Sequence, residues 1–499
     1  MKEWINDAIF YEIYPTSFKD SNGDGIGDLK GITSKLDYVK SMGFNAIWLN
    51  PFYKSPFKDG GYDVSDFFDV DPRFGTMEDF DELLAKAKKL GIRIIVDLVA
   101  GHSSEENREF LESAKAERNE YSDLFIWNAS PWDLEQPYRL IAGRHERFGC
   151  YMVNFFSVQP AFNYGFNVIT HPNWQMSYKD PRTLKAREYL KSIIRFWLKK
   201  GVDGFRVDMA DSLVKNDDNK TATMEIWKEI HEEIFDKEFP DAMLVSEWSD
   251  PSRALACGFD VDFVLDHWDN FSHRLGRSHE GTRGPNFFHG GDQKAKIEED
   301  LLWRLSEAKK NHGKLGLISG NHDTPRIATR LTEEELRSYY LVNFTLPGVP
   351  FVYYGDEIEM KHVDMASKDG GFQRTGDRLP MKWNDEVNKG FSTSSSGLYL
   401  PLDNEDKTVE NELNNPSSFL NYVKDLIKMR NNNKVLVSDD FKLNHREDNV
   451  LSYERGDLKV LVNASGKEID LPGNEIIFAT TENAVKDNKL QDKCAVIYR

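Results

Sequence analysis

The sequence predicts an α/β fold: a (β/α)8 TIM barrel with a small domain inserted after its third strand and an antiparallel β domain closing the chain. Three observations predict it. Eight short apolar runs, rich in β-branched and aromatic residues, recur between residues 9 and 354, with helix-period segments between them. After the third run comes an irregular stretch of roughly 70 residues, too long for an ordinary connection. Beyond residue 430 the pattern becomes the alternation of an antiparallel sheet.

The elements follow in order. Residues 9–14 are the first run. A helix over 29–42, ended by Gly43, leads to the second run at 46–49. A helix over 77–90, ended by Gly91, leads to the third at 92–99. The irregular section extends to about Pro172, and a helix over 183–200 stops at Gly201. The fourth run is 204–207, the fifth 243–246, a weaker sixth 261–265, the seventh 315–319 and the eighth 350–354. Strands alternating with helices suit a closed parallel barrel. After a helix at 417–430, alternating segments at 450–454, 458–462 and 495–498 lie between Gly and Asn turns. The barrel is thus expected over 1–102 and 173–432, the insert over 103–172, and a β-sandwich over 433–499.

Hydrophobic residues make up 39% of the 499 and charged residues 29%, as in an ordinary globular enzyme. No apolar run is long enough to span a bilayer, and the start of the chain carries no secretory core, so a cytoplasmic, membrane-free protein is expected. The formal charge of −19 argues against nucleic acid and is compatible with a neutral sugar. Cys150, Cys257 and Cys494 are too far apart for zinc spacing and odd in number, which favours reduced, buried thiols.

Candidate chemistry collects at the C-terminal ends of the strands, where barrel active sites are assembled. Asp97 and then His102 follow the third run, Arg206 and Asp208 the fourth, Glu247 the fifth, and His322 and Asp323 the seventh. An Asp at a strand end is often just a helix cap. Four carboxylates on one rim, with two histidines and an arginine, are harder to dismiss, because gathered charges cost solvation unless paired or used. Glycoside hydrolysis needs such a set: one carboxyl protonates the leaving oxygen and a second attacks the anomeric carbon or activates water. An arginine can hold the nucleophile ionised by lowering its pKa.

These stretches resemble the α-amylase superfamily. Asp97-Leu-Val-Ala-Gly-His102, Gly204-Phe-Arg-Val-Asp208, Ser246-Glu247-Trp248 and Asn321-His322-Asp323 are similar to its four regions, in order. Ala46-Ile-Trp-Leu-Asn-Pro51, Gly61-Tyr-Asp63 and Gly348-Val-Pro-Phe-Val-Tyr-Tyr-Gly-Asp-Glu357 support it. The resemblance implies a retaining mechanism on α-glucosidic bonds, with Asp208 as nucleophile, Glu247 as general acid and base, and Asp323 as the third carboxylate. It implies that Arg206 orients Asp208, that His102 and His322 bond the sugar before the cleaved bond, that Tyr62 stacks on it, and that Asp63 and Asp97 support the site. Arg326 and Arg374 are further candidates for substrate binding.

Asp20-Ser-Asn22-Gly-Asp24-Gly-Ile26-Gly-Asp28 sets oxygen donors at alternate positions around glycines, as a hard cation requires, though without the closing Glu of an EF-hand loop. It is similar to the loop after the first strand of oligo-1,6-glucosidases and trehalose synthases. That implies a structural Ca2+ on the side chains of Asp20, Asn22, Asp24 and Asp28 and the carbonyl of Ile26; a solvated polar turn is the alternative. No organic cofactor is expected.

Several positions depart from the family pattern. Gly101 stands where Asn usually precedes the first histidine, so no second calcium is expected. Asp211-Ser212 replaces the Lys-His of starch-cutting members, Ala161 replaces the acid of Gln-Pro-Asp-Leu-Asn in Gln159-Pro-Ala-Phe-Asn163, and Met209 follows the nucleophile. Arg374-Thr-Gly-Asp-Arg-Leu-Pro-Met-Lys-Trp383 and Gly390-Phe-Ser392 resemble stretches of oligo-1,6-glucosidases and trehalose synthases. The expected activity is hydrolysis of short α-gluco-oligosaccharides by a monomer or small homo-oligomer. A transglycosylase or isomerase would use the same catalytic residues. A non-catalytic relative would have lost them.

Overall fold

The computed structural model describes residues 2–132, 138–267, 270–279, 284–290, 293–370, 374–403, 405–473 and 475–499. Eight parallel strands close into a barrel: β1 (Phe10–Ile13), β2 (Ala46–Leu49), β3 (Arg93–Val99), β4 (Gly204–Asp208), β5 (Met243–Ser246), β6 (Val261–Phe263), β7 (Lys314–Ile318) and β8 (Val349–Tyr353). They neighbour one another in sequence order, and β1 shuts the ring by pairing with β8, Phe10 opposite Phe351. Strand β6 ends two residues before expected, because the amide of Leu265 turns out of the ladder to the hydroxyl of Ser249, 3.3 Å away.

The principal helices are α1 (Leu29–Met42), α2 (Met77–Leu90), α3 (Leu184–Lys200), α4 (Thr221–Ile230), α5 (Lys294–Lys310), α6 (Glu333–Thr345) and α7 (Phe419–Asn432). Helices α1, α2 and α3 stop at Gly43, Gly91 and Gly201, each in the left-handed conformation that satisfies the last carbonyls. Helix α2 starts on a capping box of Thr76 and Asp79, and α6 on one of Thr332 and Glu335. After β5 there is only a single turn, Pro251–Ala254.

The insert is not structureless. It carries a short helix, Arg108–Ser113, and a hairpin of Leu140–Ala142 with Cys150–Met152. Bridges from His102 to Ala161 and from Phe125 to Phe162 lay it over the barrel mouth. At the other end of the chain, β9 (Lys442–Leu443), β10 (Val450–Arg455), β11 (Leu458–Asn463), β12 (Ile476–Ala479) and β13 (Ala495–Tyr498) form an antiparallel sheet in the order β9-β10-β11-β13-β12. Its faces part by the two-residue period. Leu451, Tyr453, Val460, Val462 and Ile497 join the main core that surrounds the barrel, while Val450, Leu461, Val496 and Tyr498 form a second core with a three-stranded sheet. Among the described residues no helix is long and apolar enough to cross a membrane. All three cysteines are buried, and none forms a disulfide among the described residues.

The barrel interior is graded. Phe10, Ala46, Ile95, Met243, Val261 and Phe351 fill one end with apolar volume. Two residues further along their strands, inward positions become Glu12, Asp97 and Arg206, all wholly buried. This gradient places charge at the C-terminal rim. Gly204, which begins β4, allows the strands to approach here: its φ is +148° and a Cβ would lie 2.2 Å from the carbonyl oxygen of Met243. Gly204→Ala is expected to cost about 1–3 kcal/mol in backbone strain alone, with the clash added. Thermal unfolding followed by circular dichroism checks this, and an unchanged Tm would mean that β4 and β5 have slack.

Candidate active site

In Gly204-Phe-Arg-Val-Asp208 the strand period turns Phe205 and Val207 to the outer core and leaves Arg206 and Asp208 to the interior. Arg206 is wholly buried, and its guanidinium is shared among three carboxylates. Nη1 lies 2.6 Å from Asp97 Oδ1 and 3.1 Å from Asp208 Oδ1, and Nη2 lies 2.5 Å from Glu247 Oε1. One cation thus joins the ends of β3, β4 and β5. Next to Asp208, Met209 sits in the left-handed region at φ +43°, a strained conformation for a residue with a side chain. Its N–H donates to Glu247 Oε2 at 2.8 Å. Asp208, Glu247 and Asp323 all line one cavity of about 310 Å³, together with Tyr62, His102 and Arg374.

The electrostatics divide the three acids. Burial pushes Asp208 well above the usual carboxylate range, and the charge of Glu247 adds to this; Arg206 pulls the other way and loses. The expectation that Arg206 holds Asp208 low is therefore not met, because the same guanidinium also serves Asp97 and Glu247. Burial raises Glu247 as well, against Arg206. The two face each other across a single cation and titrate as a pair. Asp323 behaves oppositely. Burial disfavours its charge, but His322, Arg374 and Arg378 more than compensate and hold it well below the usual range. Arg374 Nη1 is 2.6 Å and Arg378 Nη2 2.8 Å from its Oδ1, and His322 Nε2 is 3.2 Å from Oδ2.

The two histidines differ in charge. His322 is buried, which favours the neutral ring, but Asp323 on one nitrogen and Glu12 on the other (Nδ1 to Oε1, 2.8 Å) raise it to about 9. His102 faces no carboxylate. Its Nε2 is 3.2 Å from the Tyr62 carbonyl, Nδ1 is 3.3 Å from the Asn154 amide, and burial lowers it to about 3. It is neutral where His322 is a cation.

The other expected residues fall into two layers. The Tyr62 ring lies in the cavity wall, stacked on His322 at 5.1 Å, and its hydroxyl donates to Asp97 Oδ2 at 3.2 Å. Asp97 and His322 sit behind the wall, fully buried; the Trp48 indole N–H donates to Asp97 at 2.7 Å. Asp63 shapes the 55–63 turn by accepting from Ser55 Oγ and from the amides of Lys58 and Asp59, each at 3.0 Å. Arg374 spans the cavity between Asp323 and Asp59, and Gln159 Nε2 donates to the other oxygen of Asp59 at 2.7 Å. Arg326, expected among the substrate-binding residues, is not in the wall. Its guanidinium is buried on Asp356 Oδ1 and the Tyr354 carbonyl, both at 2.8 Å, and laid over the Tyr353 ring, because the chain turns away after Asp323 toward the end of β8.

Sequence reasoning missed Glu12, Asp59 and Arg378. Glu12 had a signal, being the lone charge in an apolar run; the partners of Asp59 and Arg378 lie too far away in sequence to be read. In the 20–28 loop, Asp20 accepts from the amides of Asn22, Gly23 and Gly25 and from Ser392 Oγ. Asp24 accepts from the Ile26 amide, and Asp28 from Ser21 and, as the cap of α1, from the Gly31 amide. Among the described residues no three acidic, His or Cys side chains converge as a metal cage.

The His322 shift has a testable sign. A group raised from 6.5 to about 9 on folding contributes stability that is complete below pH 6.5 and lost as pH rises through 9. Glu12→Gln removes one of the two carboxylates that sustain this. The Tm advantage of the native protein over Glu12→Gln is expected to be largest below pH 6.5 and to shrink toward pH 9. A gap constant across that window would mean that His322 is uncharged.

Comparison with known proteins agrees with this arrangement. The family described as Alpha amylase, catalytic domain, matches residues 12–439. The chain is 34% identical to Maltase A2 of Drosophila melanogaster, covering 91% of this chain and 82% of that protein. It is 31% identical to glucan 1,6-alpha-glucosidase of Streptococcus pneumoniae serotype 4, covering 99% and 96%. Among solved structures, a trehalulose synthase MutB variant superposes with a TM-score of 0.82 at 28% identity over 99% of both chains. With the closed barrel, the convergent carboxylates and this match, the chain belongs to the α-amylase family of glycoside hydrolases.

Proposed function

We propose that the enzyme is a retaining α-glucosidase that acts on short α-gluco-oligosaccharides through a covalent glucosyl intermediate. One observation carries the reading: a single buried guanidinium holds Asp208 and Glu247 in the wall of one cavity. The pair titrates together, and attack requires its one proton to stand on Glu247 with Asp208 ionised. Asp208 attacks the anomeric carbon as the glycosidic C–O bond breaks, and Glu247 gives its proton to the departing oxygen. Water then attacks the same carbon, releases Asp208 and returns a proton to Glu247. Asp323, held as an anion by three cations, accepts hydroxyls of the bound sugar. The Asp59–Arg374–Asp323 chain walls the cavity, which supports exo-action on short substrates.

A transferase or isomerase reading draws support from the likeness to the trehalulose synthase structure and from 32% identity to the trehalose synthase/amylase of Mycolicibacterium smegmatis over 91% of this chain and 80% of that protein. Product chromatography with maltose, isomaltose, sucrose and trehalose separates the two. Glucose as the main product supports hydrolysis, and isomers or longer oligomers overturn it. Asp208→Asn is expected to lower kcat by about 10⁴-fold or more with Tm retained; substantial residual turnover would remove Asp208 from the nucleophile role.

We also infer that the 20–28 loop takes a structural Ca2+. The donors are hard oxygens: the carbonyl-type oxygens of Asn22 and Ile26, and the Asp24 and Asp28 Oδ2 oxygens, which each accept one hydrogen bond and keep a lone pair; Asp20, whose two oxygens each accept two, would release some of these on binding. The ion would tie β1 to α1 and to Ser392. Three buried cysteines, none in a disulfide among the described residues, support a reducing, cytoplasmic setting. EDTA is expected to lower Tm and Ca2+ to restore it, with about one Ca2+ per chain by elemental analysis. Protein free of Ca2+ with an unaltered Tm would leave the loop as a self-satisfied turn.

A further inference from the structure

Glu247 stands at the start of a turn that is held from behind by a residue the reaction does not touch. Asp262, the middle residue of β6, is fully buried and lies opposite Ser246 in the barrel ladder. Its Oδ1 accepts from Ser246 Oγ at 2.7 Å and from the Ser249 amide at 3.1 Å. Those two residues bracket Glu247 and Trp248, both of which line the catalytic cavity. The far side of the turn is tied as well. Arg304 Nη1 donates to the Ser249 carbonyl at 3.1 Å, and the Ser249 hydroxyl receives the amide of Leu265, another cavity residue.

This arrangement is costly. Ser249 sits in the left-handed region at φ +62°, a strained conformation for a residue with a side chain. Asp262 keeps a buried carboxyl whose Oδ2 has no hydrogen-bond partner among the described residues, and burial pushes the group up to about 7. Asp262 points to the outer face of the barrel, opposite to Val261 and Phe263, where a residue that served packing alone would be apolar, as Phe205 and Val207 are on β4. Both costs fall on the one turn that presents Glu247.

We propose that Asp262 is a positioning residue, a staple between Ser246 and Ser249 that fixes the turn so that Glu247 reaches the leaving oxygen. This rests on Glu247 as the general acid. Displacement of a catalytic group by about 1 Å can cost about 10²-fold in rate; a displaced acid slows bond cleavage, the step that kcat/KM reports, only for substrates whose leaving group needs the proton, whereas the later attack by water is common to both.

Asp262→Ala, Asp262→Asn and Ser246→Ala are compared with the native enzyme on maltose and on an activated aryl α-glucoside, with Tm recorded for each. Asp262→Ala is expected to lose about 10²-fold in kcat/KM on maltose and to change by less than about threefold in kcat/KM on the aryl glucoside. Asp262→Asn retains the acceptor oxygen and is expected to restore most of the loss. Where Asp262→Ala does not fold, Ser246→Ala, which removes one arm of the staple, shows the same skew in smaller degree. Equal losses on both substrates, or a lower Tm with kcat/KM intact, overturn the proposal. Glu247→Gln is the control. If it too lacks leaving-group discrimination, the assignment of the acid fails; if it discriminates and the Asp262 and Ser246 variants do not, only the staple fails.

Discussion

The site depends on a shortage of positive charge. A single buried guanidinium, Arg206, faces Asp97, Asp208 and Glu247. Burial raises Asp208 and Glu247 against the one arginine they share, so the two compete for ionisation and one of them can keep a proton. A water-filled site would relax the competition; the apolar barrel floor beneath keeps it acute.

Across the cavity the balance is reversed. Asp323 has two guanidiniums and an imidazolium around it and is held as an anion. The imidazolium exists because Glu12 enters the interior from β1 to support it. A cation-poor side and a cation-rich side thus oppose each other over a sugar-sized space, and carboxyl groups with similar intrinsic acidity acquire different tasks from their surroundings.

The barrel was legible because its signals are local. The glycines that end α1 to α3 and the runs that become β2 and β5 depend on neighbours within a few positions, and their limits agree with the structure to the residue. The candidate catalytic acids were legible for another reason: each ends or closely follows a strand, and strand ends meet at one rim. What was not legible is pairwise and remote. Arg326 and Arg374 look alike in sequence, yet one is buried on Asp356 and the other spans the cavity, a distinction made by the paths of two loops. The pKa of Asp208 was misjudged because sequence shows that an arginine is nearby but not how many acids divide it. Asp262 carried the same signal as Glu12, a lone charge in an apolar run, but not what it holds, since its value lies in the turn of a neighbouring strand.

The sharing of one apolar core between the C-terminal sheet and the barrel bears on how the chain is made. The first strand waits for the eighth before the ring can shut, and α6 and α7 stay uncovered until Leu451, Tyr453 and Ile497 arrive. A polypeptide emerging from the ribosome therefore carries a bare apolar flank until the sheet that holds Leu451, Tyr453 and Ile497 has been made. A chain cut before that sheet would be a sticky, unsealed barrel rather than a smaller working enzyme.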